Sequence, residues 1–371
     1  MTTHELRLAT TKPLATQAER GHNRWHPDIA PALRIRPGDE VVLDTLDAAD
    51  AQLRPGDGLD ALGAVRLSRV HPLTGPIAVD GARPGDVLVV ELLECVPAGI
   101  GYTVQIPGFG FLREQFPEPF LVRWQLDGNR AVSDDLPGVT LSAEPFLGTF
   151  GVAPSHDLLD RILVREQAVL DAGGMALPPD PTDALPGTGD VPARGLRTMP
   201  PRENAGNVDI RQTGIGTTLL LPVHADDALF SAGDGHFTQG EGETCGTAVE
   251  MAGTWRLRFD LRPGEAERTG QRRLRFSRET PGPRPAEAGP FHATTGISVD
   301  ADGVNRAEDV TVATRDALRE MLDHLVVERG FTRQQAYALC SVAVQLRISA
   351  LPDVPNVSVT ALLPLDVLDR P

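Results

Sequence analysis

The stretch Ser231-Ala-Gly-Asp-Gly-His-Phe-Thr-Gln-Gly-Glu-Gly-Glu-Thr-Cys-Gly-Thr-Ala-Val-Glu250 sets Asp234, His236, Gln239, Glu241, Glu243 and Glu250 among glycines. Glycines 233, 235, 240 and 242 permit positive φ or close approach of the backbone to a ligand, at an entropic cost that something must offset. Asp234 and His236 stand two residues apart, so an extended chain projects both to one face with Thr238 after them, whereas a helix would splay them. From Thr244 the alternation predicts a strand with Thr244, Gly246, Ala248 and Glu250 on one face and Cys245, Thr247, Val249 and Met251 on the other. Glu250 then stands above small side chains, as if facing a cavity.

A second polar cluster lies upstream in Pro200-Pro-Arg-Glu-Asn-Ala-Gly-Asn-Val-Asp-Ile210, where Asn207 and Asp209 share the same spacing of two. Asp209, Asp234 and His236 form an oxygen and imidazole set suited to a borderline divalent metal, with Zn²⁺ the first choice. Taken singly, each residue reads as well as a hairpin-turn residue or an ordinary satisfied histidine. As a cluster they point to a site.

Composition sets the limits. The chain has 371 residues, 41% of them hydrophobic, enough for two or more packed units. Its 37 glycines and 32 prolines are spread throughout, which favours many short strands joined by turns. A formal net charge of -16 argues against nucleic acid or an anionic membrane as partner and accepts a small neutral molecule. No early apolar segment and no window of membrane-spanning length occurs, so a cytoplasmic protein is expected. Cys95, Cys245 and Cys340 are too far apart in sequence for a Cys-x-x-Cys motif. Cys245 lies inside the candidate site, but on the predicted strand it faces away from Glu250, which favours a buried inert thiol over a nucleophile.

Along the chain, Arg36-Pro-Gly-Asp39, Arg54-Pro-Gly-Asp57 and Arg83-Pro-Gly-Asp86 read as type I or II turns, the first and third feeding strands, and Arg262-Pro-Gly264 closes the alternating strand Trp255–Leu261. Residues 1–160 read as a β lobe, and residues 161–371 as a β-rich α+β lobe carrying most of the site and interlocked with the first. The span 172–195 reads as a long irregular connector that could cover the site, with a second proline-rich break at 271–290. Val310, Ala313, Ala317, Leu318, Met321, Leu322 and Leu325 fall on one helical stripe ending at Gly330, and Thr332-Arg-Gln-Gln335 matches a capping box opening a second helix. Asp353-Val-Pro-Asn356 turns into a last strand. The expected class is α+β, predominantly β.

The run Gly206-Asn-Val-Asp-Ile210, then Leu219-Leu-Leu-Pro-Val223, then Gly233-Asp-Gly-His-Phe-Thr-Gln-Gly-Glu-Gly-Glu243 resembles the central signature of the acetamidase/formamidase family. His22-Asn-Arg-Trp-His-Pro-Asp28, His71-Pro-Leu-Thr-Gly-Pro76, Phe146-Leu-Gly-Thr-Phe-Gly-Val-Ala-Pro154 and the segment from Gln335 to Ser349 are similar to its other motifs, in the same order. The resemblance implies a jelly-roll-like β-sandwich lobe plus a small β-barrel, and a metal-dependent, homo-oligomeric cytoplasmic enzyme that hydrolyses formamide- or acetamide-type amides to carboxylate and ammonia. The matching positions are His22, Asn23, Trp25, His26, Asn207, Asp209, Asp234, His236, Gln239, Glu243 and Glu250.

The chemistry suggests roles for them. An unactivated amide needs a strong nucleophile, stabilisation of charge on its oxygen and a proton for the leaving nitrogen. A metal held by Asp209, Asp234 and His236 supplies the first two, and Glu250 transfers the proton, with Glu243 second and His26 a further candidate. Asn207 and Gln239, with Trp25, are assigned to the substrate, since neutral amides hold an amide without imposing charge. Gln345 stands where the resemblance leads one to expect an acid. Two other readings stay open: a metal-dependent hydrolase of another amide, such as a lactam or ureide, and a non-catalytic β-sandwich ligand-binding module. The imidazole of His236 argues against the latter, because hard-cation cages use oxygen ligands.

Overall fold

Apolar Trp255, Leu257 and Phe259 alternate with Arg256, Arg258 and Asp260, and the segment forms the strand Gly253–Arg262 with its apolar side chains buried. In the computed structural model, which describes residues 1–54, 56–283 and 285–369, this strand lies inside a six-stranded sheet. Glu40–Thr45 and Val87–Pro97 flank it, both antiparallel. A twelve-stranded sheet faces the first. Its central run is Ile100–Gln105, Glu250–Met251, Phe230–His236, Phe146–Gly151 and Ala205–Asn207. The inner faces meet where Phe230 and Phe259 stack edge to face at 5.3 Å, within one core that also holds Val41, Leu43, Val90 and Leu147. Each large sheet takes strands from both sides of residue 160.

The architecture is α+β and mainly β. Both large sheets keep edge strands among the described residues, so the small barrel implied by the resemblance does not close. The turns at Arg36–Asp39 and Arg83–Asp86 form as expected, with Gly38 and Gly85 at φ of 90° and 97° as a type II turn requires. In each, the aspartate carboxylate also accepts from the arginine N–H. The turn at Arg54–Asp57 contains Pro55, which lies outside the described residues.

The C-terminal helices run Val310–Arg329 and Arg333–Ala343. Gly330 takes the left-handed conformation between them, and Thr332 and Gln335 make the reciprocal capping box. The longer helix lies on a three-stranded sheet of Phe291–Ile297, Ser358–Pro364 and Gln345–Ala350. Gly296 makes the contact, since a Cβ there would stand 2.2 Å from both Ala313 O and Ala317 N.

Two elements differ from expectation. The helix His156–Asp171 forms where no helix was read: Ser155 caps it by accepting from Leu158 N, and Leu158, Leu159 and Ile162 bury a stripe against Trp25, Leu73 and Leu196. The strand predicted from Thr244 is reduced to Glu250–Met251. Residues before it turn instead, with Glu243 at φ 43° and Gly246 at φ 99°. The helix Arg333–Ala343 takes the backbone groups that a sheet would have used: Ser341 Oγ accepts from Cys245 N and donates to Thr247 O, and the Tyr337 hydroxyl donates to Thr244 O.

The connector 172–195 is irregular apart from the turn of helix Val191–Arg194. It is pinned to the His22–Trp25 segment, where Arg24 donates to the carbonyls of Asp180 and Thr182 and the Asn23 carboxamide bonds Asp183 O and Leu185 N. The break at 271–290 holds the edge strand Arg275–Ser277 and includes Arg284, outside the described residues.

Candidate active site

The strand Phe230–His236 runs between Phe146–Gly151 and Glu250–Met251, in a register that sets His236 opposite both Phe146 and Glu250. Cross-strand neighbours share a face, so His236 meets Glu250 across the sheet and Asp234 along its own strand. His236 Nε2 lies 3.2 Å from Glu250 Oε2 and 3.4 Å from Asp234 Oδ1. Asp209 arrives from the far side of Phe146–Gly151, where Asn207 pairs with Thr149 and the N–H groups of Val208 and Asp209 both reach Gly148 O. One ligating atom each from Asp209, Asp234 and His236 falls within 4.8 Å of the others, as does one each from His236, Glu243 and Glu250.

Gly148 makes the space. A Cβ at that position would stand 2.6 Å from His236 Cε1, 2.7 Å from Asp209 Oδ1 and 2.8 Å from Asp234 Oδ2. Around this gap the groups are braced. Asn207 Nδ2 donates to Asp209 Oδ2 at 2.8 Å, the Thr149 hydroxyl lies within reach of Asn207 Oδ1 and, at 3.1 Å, of Asp234 Oδ2, and His71 Nε2 stands 3.9 Å from Asp234 Oδ2. Glu250 Oε1 accepts from Ala248 N at 2.9 Å, which fixes its carboxyl and leaves Oε2 turned to His236.

Four carboxyl groups around one imidazole in a buried space repel one another. Burial, reinforced by the charge of Asp234, pushes Glu250 up to about 8 against the pull of His236. Glu243 is likewise raised to about 8 by burial and by Glu250 and Asp234, and burial together with Glu243 holds Asp209 well above the usual carboxylate range. Asp234 moves the other way: its burial is outweighed by His71 and His236, and it stays ionised. Burial works to discharge His236, but Glu250 and Asp234 prevail and keep its pKa well above the ordinary imidazole value.

The residues fit a divalent cation. Asp209 Oδ1, Asp234 Oδ1, His236 Nδ1 and Glu250 Oε2 are buried without a hydrogen-bond partner, and buried polar atoms in that state ordinarily have a ligand, ion or water. Carboxylate oxygens with one imidazole suit Zn²⁺ or another borderline metal, and a cation would relieve the mutual repulsion of the acids.

The remaining residues singled out in the sequence lie apart or at the edge. Gln239 donates from Nε2 to Asp209 O and leaves Oε1 unpaired. Both polar groups of Asn207 are engaged in the bracing around Asp209. Trp25 is in the core cluster with Leu73 and Leu158, and His26 stands with Asp28 and His156, its Nδ1 3.8 Å from Asp28 Oδ2. His22 is satisfied on both ring nitrogens, by Arg24 O and Ser231 Oγ. Cys245 is fully buried and its thiol is pushed up to about 11 by burial, which keeps it protonated. Gly148, Thr149 and His71 were not assigned roles from sequence. The runs Phe146–Pro154 and His71–Pro76 contain them, but spacing along the chain does not carry these contacts.

A mainly β sandwich that gathers four buried carboxyl groups around one imidazole on neighbouring strands has groups suited to proton transfer in hydrolysis and able to hold a cation. Comparison with known proteins is more specific. The acetamidase/formamidase family pattern matches residues 7–370. An acetamidase of Mycolicibacterium smegmatis is 36% identical over 362 residues, covering 89% of this chain and 87% of that protein. A formamidase of Methylophilus methylotrophus is 33% identical, covering 94% and 89%. The structure of a gamma lactamase from Delftia acidovorans superposes with a TM-score of 0.93 at 34% identity, covering 99% of this chain and 94% of the other. The chain belongs to the acetamidase/formamidase family.

Proposed function

We propose that this protein hydrolyses a small carboxamide to carboxylate and ammonia at the cluster around His236. The observation that carries the reading is Glu250: its carboxyl is anchored by Ala248 N–H, with the other oxygen buried 3.2 Å from His236 Nε2. Asp209, Asp234 and His236 would hold a divalent metal, Zn²⁺ by first choice, which when bound polarises the amide oxygen and lowers the pKa of water. Glu250 takes a proton from the attacking water and delivers it to the leaving nitrogen. Asn207 and Thr149 orient Asp209 and Asp234, and Gln239 offers the substrate its carbonyl. The acetamidase and formamidase relatives favour linear amides; the gamma lactamase likeness favours cyclic amides as a second reading.

An ammonia-release screen over formamide, acetamide and a γ-lactam tests the proposal. Ammonia from the linear amides supports the first reading, a ring-opened amino acid without ammonia supports the second, and no turnover of either removes both. We further propose a homo-oligomer acting in the cytoplasm. The family resemblance supports the first part, and three free thiols accord with a reducing compartment. No helix among the described residues is long and apolar enough to cross a membrane.

A further inference from the structure

We infer that Arg347, on the C-terminal sheet and outside the cluster, is a positioning residue: through Glu241 it holds the turn that carries Glu243, and so places the Glu243 carboxyl beside His236 and Glu250. This rests on the hydrolysis proposed above and concerns what keeps that same site in register.

Three of the four acids in the cluster stand at positive φ, Asp209 at 47°, Asp234 at 56° and Glu243 at 43°. A residue with a Cβ enters that region at a cost, smaller for aspartate than for most, and stays there only where its surroundings impose it. For Asp234 the imposition is the sheet, since Phe230–His236 is paired along both edges. Glu243 lies outside the strands, and glutamate lacks the tolerance of aspartate for this conformation, so its hold must come from elsewhere.

The segment Ser341–Arg347 supplies it. Gly240 N donates to Ser341 O at 2.8 Å, and a Cβ on Gly240 would stand 2.5 Å from Val344 O and 2.7 Å from Cys340 O. Glu241 bridges to Gln345 in parallel, and its carboxylate is shared between Arg347 and Gln212 Nε2, the latter at 2.7 Å. The chain then turns back, with Gly242 at φ 97° and Glu243 N reaching Gly240 O at 3.3 Å. Glu243 thereby brings a carboxyl oxygen within 4.8 Å of ligating atoms of His236 and Glu250. Two residues earlier the chain faces Arg347, so the ion pair and the site lie at the two ends of one strained turn. The Arg347 side chain is 37% exposed, and ion pairs of that exposure contribute little to global stability. Its loss should be felt at the site before it is felt by the fold.

The test is kcat and KM for acetamide, with melting temperature, in Arg347→Met, Arg347→Lys, Glu243→Gln and the double variant Arg347→Met/Glu243→Gln. Arg347→Met should melt close to wild type while kcat falls by about 10–100-fold with KM little changed, the scale of a misplaced reacting group. Arg347→Lys, which keeps the charge, should recover most of that loss. Because Arg347 acts on the reaction through Glu243, Arg347→Met should cost nothing further once Glu243 is Gln. A folded Arg347→Met with wild-type kcat, or losses that add in the double variant, overturns the inference. Should Arg347→Met not fold, Glu241→Gln takes its place in the same cycle and is read by the same criteria. If wild type turns over no amide, the proposed hydrolysis fails separately and hydrogen exchange decides the positioning. The amides of Gly240, Glu243 and Gly246, bonded to Ser341 O, Gly240 O and Glu243 O, should then exchange faster in Arg347→Met while those of Gly253–Arg262 keep wild-type rates. Unchanged exchange at those three amides overturns the inference.

Discussion

Glu250 has one carboxyl oxygen held by Ala248 N–H and the other beside His236, so Glu250→Gln keeps the shape and removes the base. The variant should fold and melt as wild type while kcat falls by roughly 10²–10⁴-fold; activity within a few-fold of wild type would pass the role to Glu243. Gly148→Ala makes the complementary prediction. Its methyl group would collide with His236, Asp209 and Asp234 together, so amide hydrolysis and metal content should fall in parallel, read by ammonia release and elemental analysis. The spacing of two between Asp234 and His236 was legible because strand periodicity alone puts them on one face. Gly148 and Thr149 were not, since Thr149 meets Asp234 across 85 residues of chain and only the sheet register brings them side by side.

Among elements, the hairpin that presents Asn207 and Asp209 is clamped to the helix His156–Asp171 by Arg165 on Glu203 and by Arg202 on Glu166. The Arg165 guanidinium lowers Glu203 from 4.5 to about 2. A depressed carboxylate stabilises the fold above its unfolded pKa and loses that contribution as pH falls through the folded one, so the clamp weakens between about pH 4.5 and 2. Glu203→Gln should flatten acid unfolding in that window and cost about 1 kcal/mol at neutral pH, measured by denaturant melts. Gly296→Ala should be harsher, at about 1–3 kcal/mol or more, because the added carbon meets helix backbone and not a movable side chain. The late helices were legible because their signals are local: an apolar stripe, a left-handed Gly330 and the Thr332 box. The helix His156–Asp171 also carries local signals, the Ser155 cap and the stripe Leu158, Leu159, Ile162, but no helix was read there from sequence. The turn at Thr244–Ala248 gave none, since the groups that override its alternation, Ser341 and Tyr337, lie more than ninety residues away.

For the whole molecule, the cluster crowds four acids in a buried space at the join of several strands, so a resident cation should stabilise the fold as well as the site. Chelation should lower the melting temperature, and restoring Zn²⁺ should raise it again; a melt indifferent to chelator would count against metal as a structural component. The most direct test of the central claim is ammonia release from acetamide by wild type and Asp234→Asn side by side, with both proteins shown to be folded. Wild type should yield ammonia and acetate in equal amounts and the variant should be slower by roughly a hundredfold or more, the scale of losing a group that acts in the transition state. A wild type that releases no ammonia, or a variant that matches it, would contradict the assignment of amide hydrolysis to the Asp234–His236–Glu250 cluster.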